Sequence, residues 1–129
     1  MLGWIIPLPS FTSFLVRFIG WLFAAASLTV VLLAVKEFRA AHTTIRTDRP
    51  ASYLILTGIF TVTRNPFYLS LLLLYCGVSI FLGTWWSIIL APLLVTTMNI
   101  YVIRREERFL IERFGLFYHD YCKQVRRWI

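Results

Sequence analysis

The chain has 129 residues, of which 59% are apolar and 15% charged, with a mean hydropathy of +0.74. That balance lies outside the soluble range and leaves room for one domain embedded in lipid. A net charge of +7 raises the question of nucleic acid. The basic residues flank apolar runs instead of forming a solvated patch, so we expect no nucleic-acid partner. They set topology and meet anionic headgroups.

Met1 to Pro9 shows neither the basic leader nor the small-residue cleavage site of a secretory signal. From Phe14 to Val35 the only charge is Arg17, and about 22 residues of helix at roughly 1.5 Å each reach ~33 Å, enough to cross a bilayer. Lys36 to Asn65 turns polar, with breakers at Pro50 and Gly58, and reads as a loop outside the hydrocarbon. A second apolar run ends at Leu82 and a third covers Trp85 to Ile103. Only Gly83 and Thr84 separate them, which predicts a tight antiparallel hairpin. Pro92 predicts a kink in the third helix by removing the bond to the carbonyl of Ile88. Asn99 is a polar group at hydrocarbon depth, where it bonds a neighbouring helix or serves a site. After Ile103 charge returns as Arg104, Arg105, Glu106, Glu107 and Arg108, and an amphipathic helical tail follows, with Gly115 as a stop or bend.

The expected fold is an all-α integral membrane protein with three transmembrane helices, about 14–35, 66–82 and 85–103, a cytoplasmic loop and an amphipathic C-terminal helix. The loop carries Lys36, Arg39, Arg46, Arg49 and Arg64. The tail carries Arg104, Arg105, Arg108, Arg113, Lys123, Arg126 and Arg127, which leaves Arg17 alone near the opposite face. The positive-inside rule places loop and tail in the cytoplasm and the N-terminus outside an inner membrane, with Trp85 and Trp86 in the outer aromatic belt. Cys76 and Cys122 lack disulfide or zinc spacing, so we expect free thiols and no metal.

The polar chemistry collects on one face from two distant segments. Gly58-Ile59-Phe60 and Arg64-Asn65-Pro66-Phe67-Tyr68 form the first. Arg105-Glu106-Glu107 and Phe114 to Tyr121 form the second. A hairpin brings the feet of its two helices together. Each residue has a plain structural reading: Asn65-Pro66 as a helix start, Tyr68 as an interfacial tyrosine, and the glutamates as a neutralised helix end.

In combination, the order and spacing of Gly58-Ile59-Phe60, Arg64-Asn65-Pro66-Phe67-Tyr68, Glu106-Glu107, Leu110 and Phe114 to Tyr121 resemble the isoprenylcysteine carboxyl methyltransferase and phospholipid methyltransferase families, from about His42 onward. The resemblance implies methyl transfer from S-adenosylmethionine to a lipophilic or lipid-linked acceptor. The cofactor then sits at the cytoplasmic foot of the helices and the acceptor enters from the bilayer. Implied cofactor contacts are Leu54, Ile55, Phe60, Arg64, Asn65, Pro66, Tyr68, Glu106 and Glu107. The catalytic group is Glu106, Arg105 and Asn65, with Arg105 orienting an anionic acceptor or meeting headgroups. Two departures stand out. Asn65 replaces the family's histidine and cannot carry a proton near neutral pH. The families also have a further helix at the front, which Met1 to Pro9 is too short to supply, so self-association into a homo-oligomer is one way to complete the pocket. Two other readings are a sterol-reductase-like enzyme using a nicotinamide cofactor and a non-catalytic membrane subunit.

Overall fold

The computed structural model describes residues 13–44 and 56–129, the side chains of 41–44 excepted. Among the described residues all regular structure is helical. Helix α1 spans Phe14–Thr44 and starts where Ser13 accepts the amide of Val16 on its hydroxyl at 3.3 Å, a side-chain N-cap. It runs past Val35, so the front of the expected loop is helical. A 3-10 turn at Gly58–Thr61 leads to α2, Pro66–Leu82, which ends on Gly83 in the left-handed conformation. Helix α3, Trp85–Thr97, continues through Pro92 into a π-helical segment, Met98–Ile103. That segment passes directly into α4, Arg104–Phe114, and α5, Leu116–Gln124, follows the bend at Gly115.

The third apolar run ends at Ile103, but the helix does not: it continues as a helical rod, Trp85–Phe114. The charged residues after Ile103 change what the helix faces without breaking it, because Arg and Glu are good helix formers. Two helices, Phe14–Ala40 and Trp85–Phe114, are long and apolar enough to cross a membrane, while Pro66–Leu82 is shorter. Only 17% and 6% of the apolar windows of the first two are buried within the protein. A core helix of a soluble protein would be mostly covered, so these faces suit lipid.

The main packing joins α1 to α2. In α1 the buried positions Gly20, Ser27 and Ala34 recur every seventh residue, and Ser70 and Gly77 answer them from α2. Backbones meet closely where the two glycines face each other: a Cβ on Gly77 would lie 2.9 Å from the carbonyl oxygen of Gly20. Ser27 donates to the carbonyl of Ser70 at 2.6 Å across the same contact. Small residues at a helix crossing, tied by a hydroxyl, are how helices associate where no hydrophobic force acts between them. Near the turn Tyr75 donates to the carbonyl of Ser87 at 2.7 Å, joining α2 to α3. The tail closes on itself through Tyr118, Tyr121 and Val125, against Leu110, Phe114 and Cys122.

Candidate functional site

Below the α1/α2 contact a pocket of about 200 Å³ opens at the helix feet. Its walls come from four places: Phe38 of α1, Phe60 of the 3-10 turn, the start of α2 from Arg64 to Tyr68, and Glu106, Glu107, Leu110, Tyr118 and Tyr121 of α4 and α5. The distant segments expected to converge do so here. Tyr68 donates its hydroxyl to Glu106 Oε1 at 2.6 Å, closing the α2 and α4 feet over the cavity. The second oxygen of Glu106 carries no protein hydrogen bond among the described residues.

Glu107 sits in a different environment, with its side chain 13% exposed. Arg127 grips it with a fork, Nε to Oε1 at 3.0 Å and Nη2 to Oε2 at 2.7 Å. Arg64 Nη1 adds a contact to Oε1 at 3.2 Å and also donates to the sulfur of Cys122 at 2.8 Å. Such paired charges are satisfied together or costly apart. The pair holds the Arg127 guanidinium above its ordinary pKa, chiefly through the hydrogen bonds to Glu107. Arg64 Nε, in contrast, is buried with no hydrogen-bond partner among the described residues, as is Asn99 Oδ1.

Asn65 occupies the position before α2, but its side chain makes no cap bond. Its Nδ2 donates to the carbonyl of Arg127 at 3.1 Å, so the amide looks toward the tail. The helix start, with Pro66 first, consequently leaves the amides of Phe67 and Tyr68 uncapped by Asn65. Tyr121 donates to the carbonyl of Phe60 at 2.6 Å, fixing the 3-10 turn to α5. Burial pushes the Tyr121 hydroxyl up to about 12 against the opposing pull of Arg64. Burial, with help from Cys122 and Glu107, raises that of Tyr118 as well.

Of the residues expected from the sequence, the structure brings Phe60, Arg64, Asn65, Pro66, Tyr68, Glu106 and Glu107 to this pocket. Arg105 is not among the pocket's lining residues; it lines a second groove with Tyr101, Val102, Glu106 and Phe109, so Glu106 borders both. Leu54 and Ile55 lie outside the described residues. Sequence reasoning missed Phe38, because it sat in the expected loop; the seven-residue spacing of Gly20, Ser27 and Ala34 was the available signal that α1 continues toward it. It also missed Thr63 and Arg127, whose partners no local pattern reveals. His119 is exposed on α5, and no group of metal-ligating side chains occurs among the described residues.

The family model described as phospholipid methyltransferase matches residues 15–116. The match begins within α1, well ahead of His42 where the motif resemblance was expected to start, and ends before Tyr118, Tyr121 and Arg127. An uncharacterized protein of Haemophilus influenzae (strain ATCC 51907 / DSM 11121 / KW20 / Rd) is 38% identical over 65 residues, covering 48% of this chain and 98% of that protein. No solved structure matches. A family match that takes in α1, the Arg64 to Tyr68 motif and the glutamate pair covers every wall of the pocket except α5, and the chain belongs to the phospholipid methyltransferase family.

Proposed function

We propose that the protein is a membrane methyltransferase that binds S-adenosylmethionine at the helix feet and methylates a lipophilic or lipid-linked acceptor arriving from the bilayer. The observation that carries this reading is the pocket spanned by the Tyr68–Glu106 bond and lined by Arg64. The residues fit the donor molecule's polar end. The Arg64 guanidinium and the amides of Phe67 and Tyr68 suit its carboxylate, and the Glu106 oxygen that takes no hydrogen bond among the described residues suits its ammonium or ribose hydroxyls. Phe60, Pro66 and Leu110 supply apolar wall. At about 200 Å³ the pocket is smaller than the 300–1,000 Å³ typical of a whole ligand site, so it holds one end of the donor and leaves the reactive end toward the membrane.

When bound, the sulfonium would supply an activated methyl group, whose carbon accepts the acceptor's lone pair in line as its bond to sulfur breaks and the neutral thioether leaves. The chain's own residues then have three tasks. Glu106, held by Tyr68, orients the donor. Arg64 fixes its carboxylate, and the aromatic walls exclude water so that the acceptor competes with no solvent nucleophile. No side chain forms a covalent bond, and no proton transfer is assigned to Asn65. Positive charge at loop and tail supports a cytoplasmic position for this end of the molecule. Alignment with the phospholipid methyltransferase family favours methyl transfer over a nicotinamide-dependent reduction.

Titration calorimetry of the detergent-purified protein with S-adenosylmethionine tests the reading. We expect a micromolar Kd that rises at least about tenfold in Glu106→Gln and in Tyr68→Phe, the loss of one charge-assisted hydrogen bond. Unchanged binding in both variants overturns the site. No binding by the wild type returns the chain to the non-catalytic subunit reading.

A further inference from the structure

Beyond the donor contacts, residues 126–127, outside the family match, hydrogen-bond Arg64, Asn65 and Glu107 of the pocket wall. The carbonyl of Arg127 accepts from both Thr63 Oγ1 and Asn65 Nδ2, each at 3.1 Å. The carbonyl of Arg126 accepts the amide of Arg64 at 3.1 Å. The Arg127 side chain turns back to fork Glu107. Residues 126 and 127 thus bond the turn before α2 with their backbone and the top of α4 with a side chain. They link the two feet from outside as Tyr68 and Glu106 link them from inside. Thr63 is fully buried beneath this strap, and Val125, just ahead of it, is 8% exposed.

We propose that Arg127 is a positioning residue of the donor pocket: by clamping Glu107 and the Thr63–Asn65 turn together, it fixes the separation of α2 and α4 at which Tyr68 meets Glu106 and Arg64 takes its place in the pocket wall. The proposal rests on the methyl-donor reading above. It also divides the glutamate pair. Both oxygens of Glu107 are taken by Arg127 and Arg64, so Glu107 holds the frame and Glu106 meets the donor. Without Arg127, Glu107 keeps only the Arg64 Nη1 contact it already has, and its released oxygen would draw the Arg64 guanidinium further onto it and out of its place in the pocket wall. Thr63 and Asn65 lose their shared acceptor if the strap lifts, and buried donors left without partners favour a shifted turn.

The full chain in detergent is titrated with S-adenosylmethionine, reading affinity and the fraction of competent sites separately. Arg127→Ala is expected to raise Kd about tenfold at unchanged stoichiometry. Arg127→Lys is expected to raise it severalfold, because a lysine keeps the charge and loses the fork. The double variant Arg127→Ala/Glu107→Gln should bind no worse than Arg127→Ala, since both act through one clamp. Lys123→Ala, exposed on α5 and away from the clamp, serves as the control. Wild-type Kd in Arg127→Ala, with or without a loss of competent sites, overturns the proposal and leaves Arg127 a role in folding alone. Should that variant not fold, wild-type Kd in Arg127→Lys overturns it equally. A wild type that binds no donor overturns the donor reading and this proposal together, whereas donor binding insensitive to Arg127 overturns this proposal alone.

Discussion

Tyr121 shows how one side chain ties chemistry to stability. It is 7% exposed, and its hydroxyl holds the carbonyl of Phe60, so the neutral form is favoured and its pKa rises from the ordinary 10.0 to about 12. An unfolded chain releases that proton near 10, a folded one only near 12. The stabilisation is therefore complete below pH 10 and is lost as pH climbs from 10 to 12. Thermal unfolding followed by circular dichroism should show the midpoint falling across that window, with a shallower fall in Tyr121→Phe. The same variant, by losing one hydrogen bond, should cost about 0.5–1.5 kcal/mol at neutral pH. Gly58 is constrained differently. Its φ is 60°, and the Glu37 carboxylate lies where a Cβ would project, bonded by Thr57 at 2.6 Å. Gly58→Ala should destabilise by about 1–2 kcal/mol in a denaturant titration, and a midpoint equal to wild type would refute this. Gly58 was visible in the sequence as a motif glycine. That Glu37 fills the space above it was not, because the two are linked only through the continuation of α1.

Among elements, α1 and α2 carry the architecture. Their contact works because Gly20 and Gly77 let two backbones approach and Ser27 bonds across. Gly77→Val inserts branched carbon where the Gly20 carbonyl already sits, an overpacking that typically costs about 1–3 kcal/mol. A lowered unfolding midpoint in detergent is expected. Leu71→Ala, at a residue 54% exposed, should move it far less. Equal effects from the two would mean that the glycine contact is not the packing core. The hairpin of α2 with α3 was readable from Gly83 and Thr84, and Gly83 does take the left-handed conformation that such a turn requires. The lengths of α1 and of the rod were read short at both charged ends. Charge marks where a helix leaves hydrocarbon, and a helix leaving hydrocarbon need not end. The π-helical segment had no sequence signal. It lies just before the glutamates and offsets the helical phase, so it helps decide which of Glu106 and Glu107 faces Tyr68.

For the molecule as a whole, the proposed orientation puts every pocket wall at the cytoplasmic end. In a Cys76→Ser/Cys122→Ser background, Lys123→Cys should react with a membrane-impermeant maleimide only in inverted vesicles or lysed cells. Labelling of intact spheroplasts would reverse the topology and remove the argument from charge. Composition, run length and the distribution of basic residues by themselves determined that the chain is helical, apolar and charged at one end, because these follow from local propensity and from what lipid tolerates. The motif residues also identified most of the pocket wall, since helix feet joined by a two-residue turn have few ways to meet. Only the tertiary structure decided how the two glutamates divide their work, where Asn65 points, and that residues 126–127 reach back some sixty positions to bind the turn at 63–65. Those choices depend on which donors and acceptors lie within hydrogen-bonding distance once the chain has closed, and a linear pattern of residue types carries no such distances.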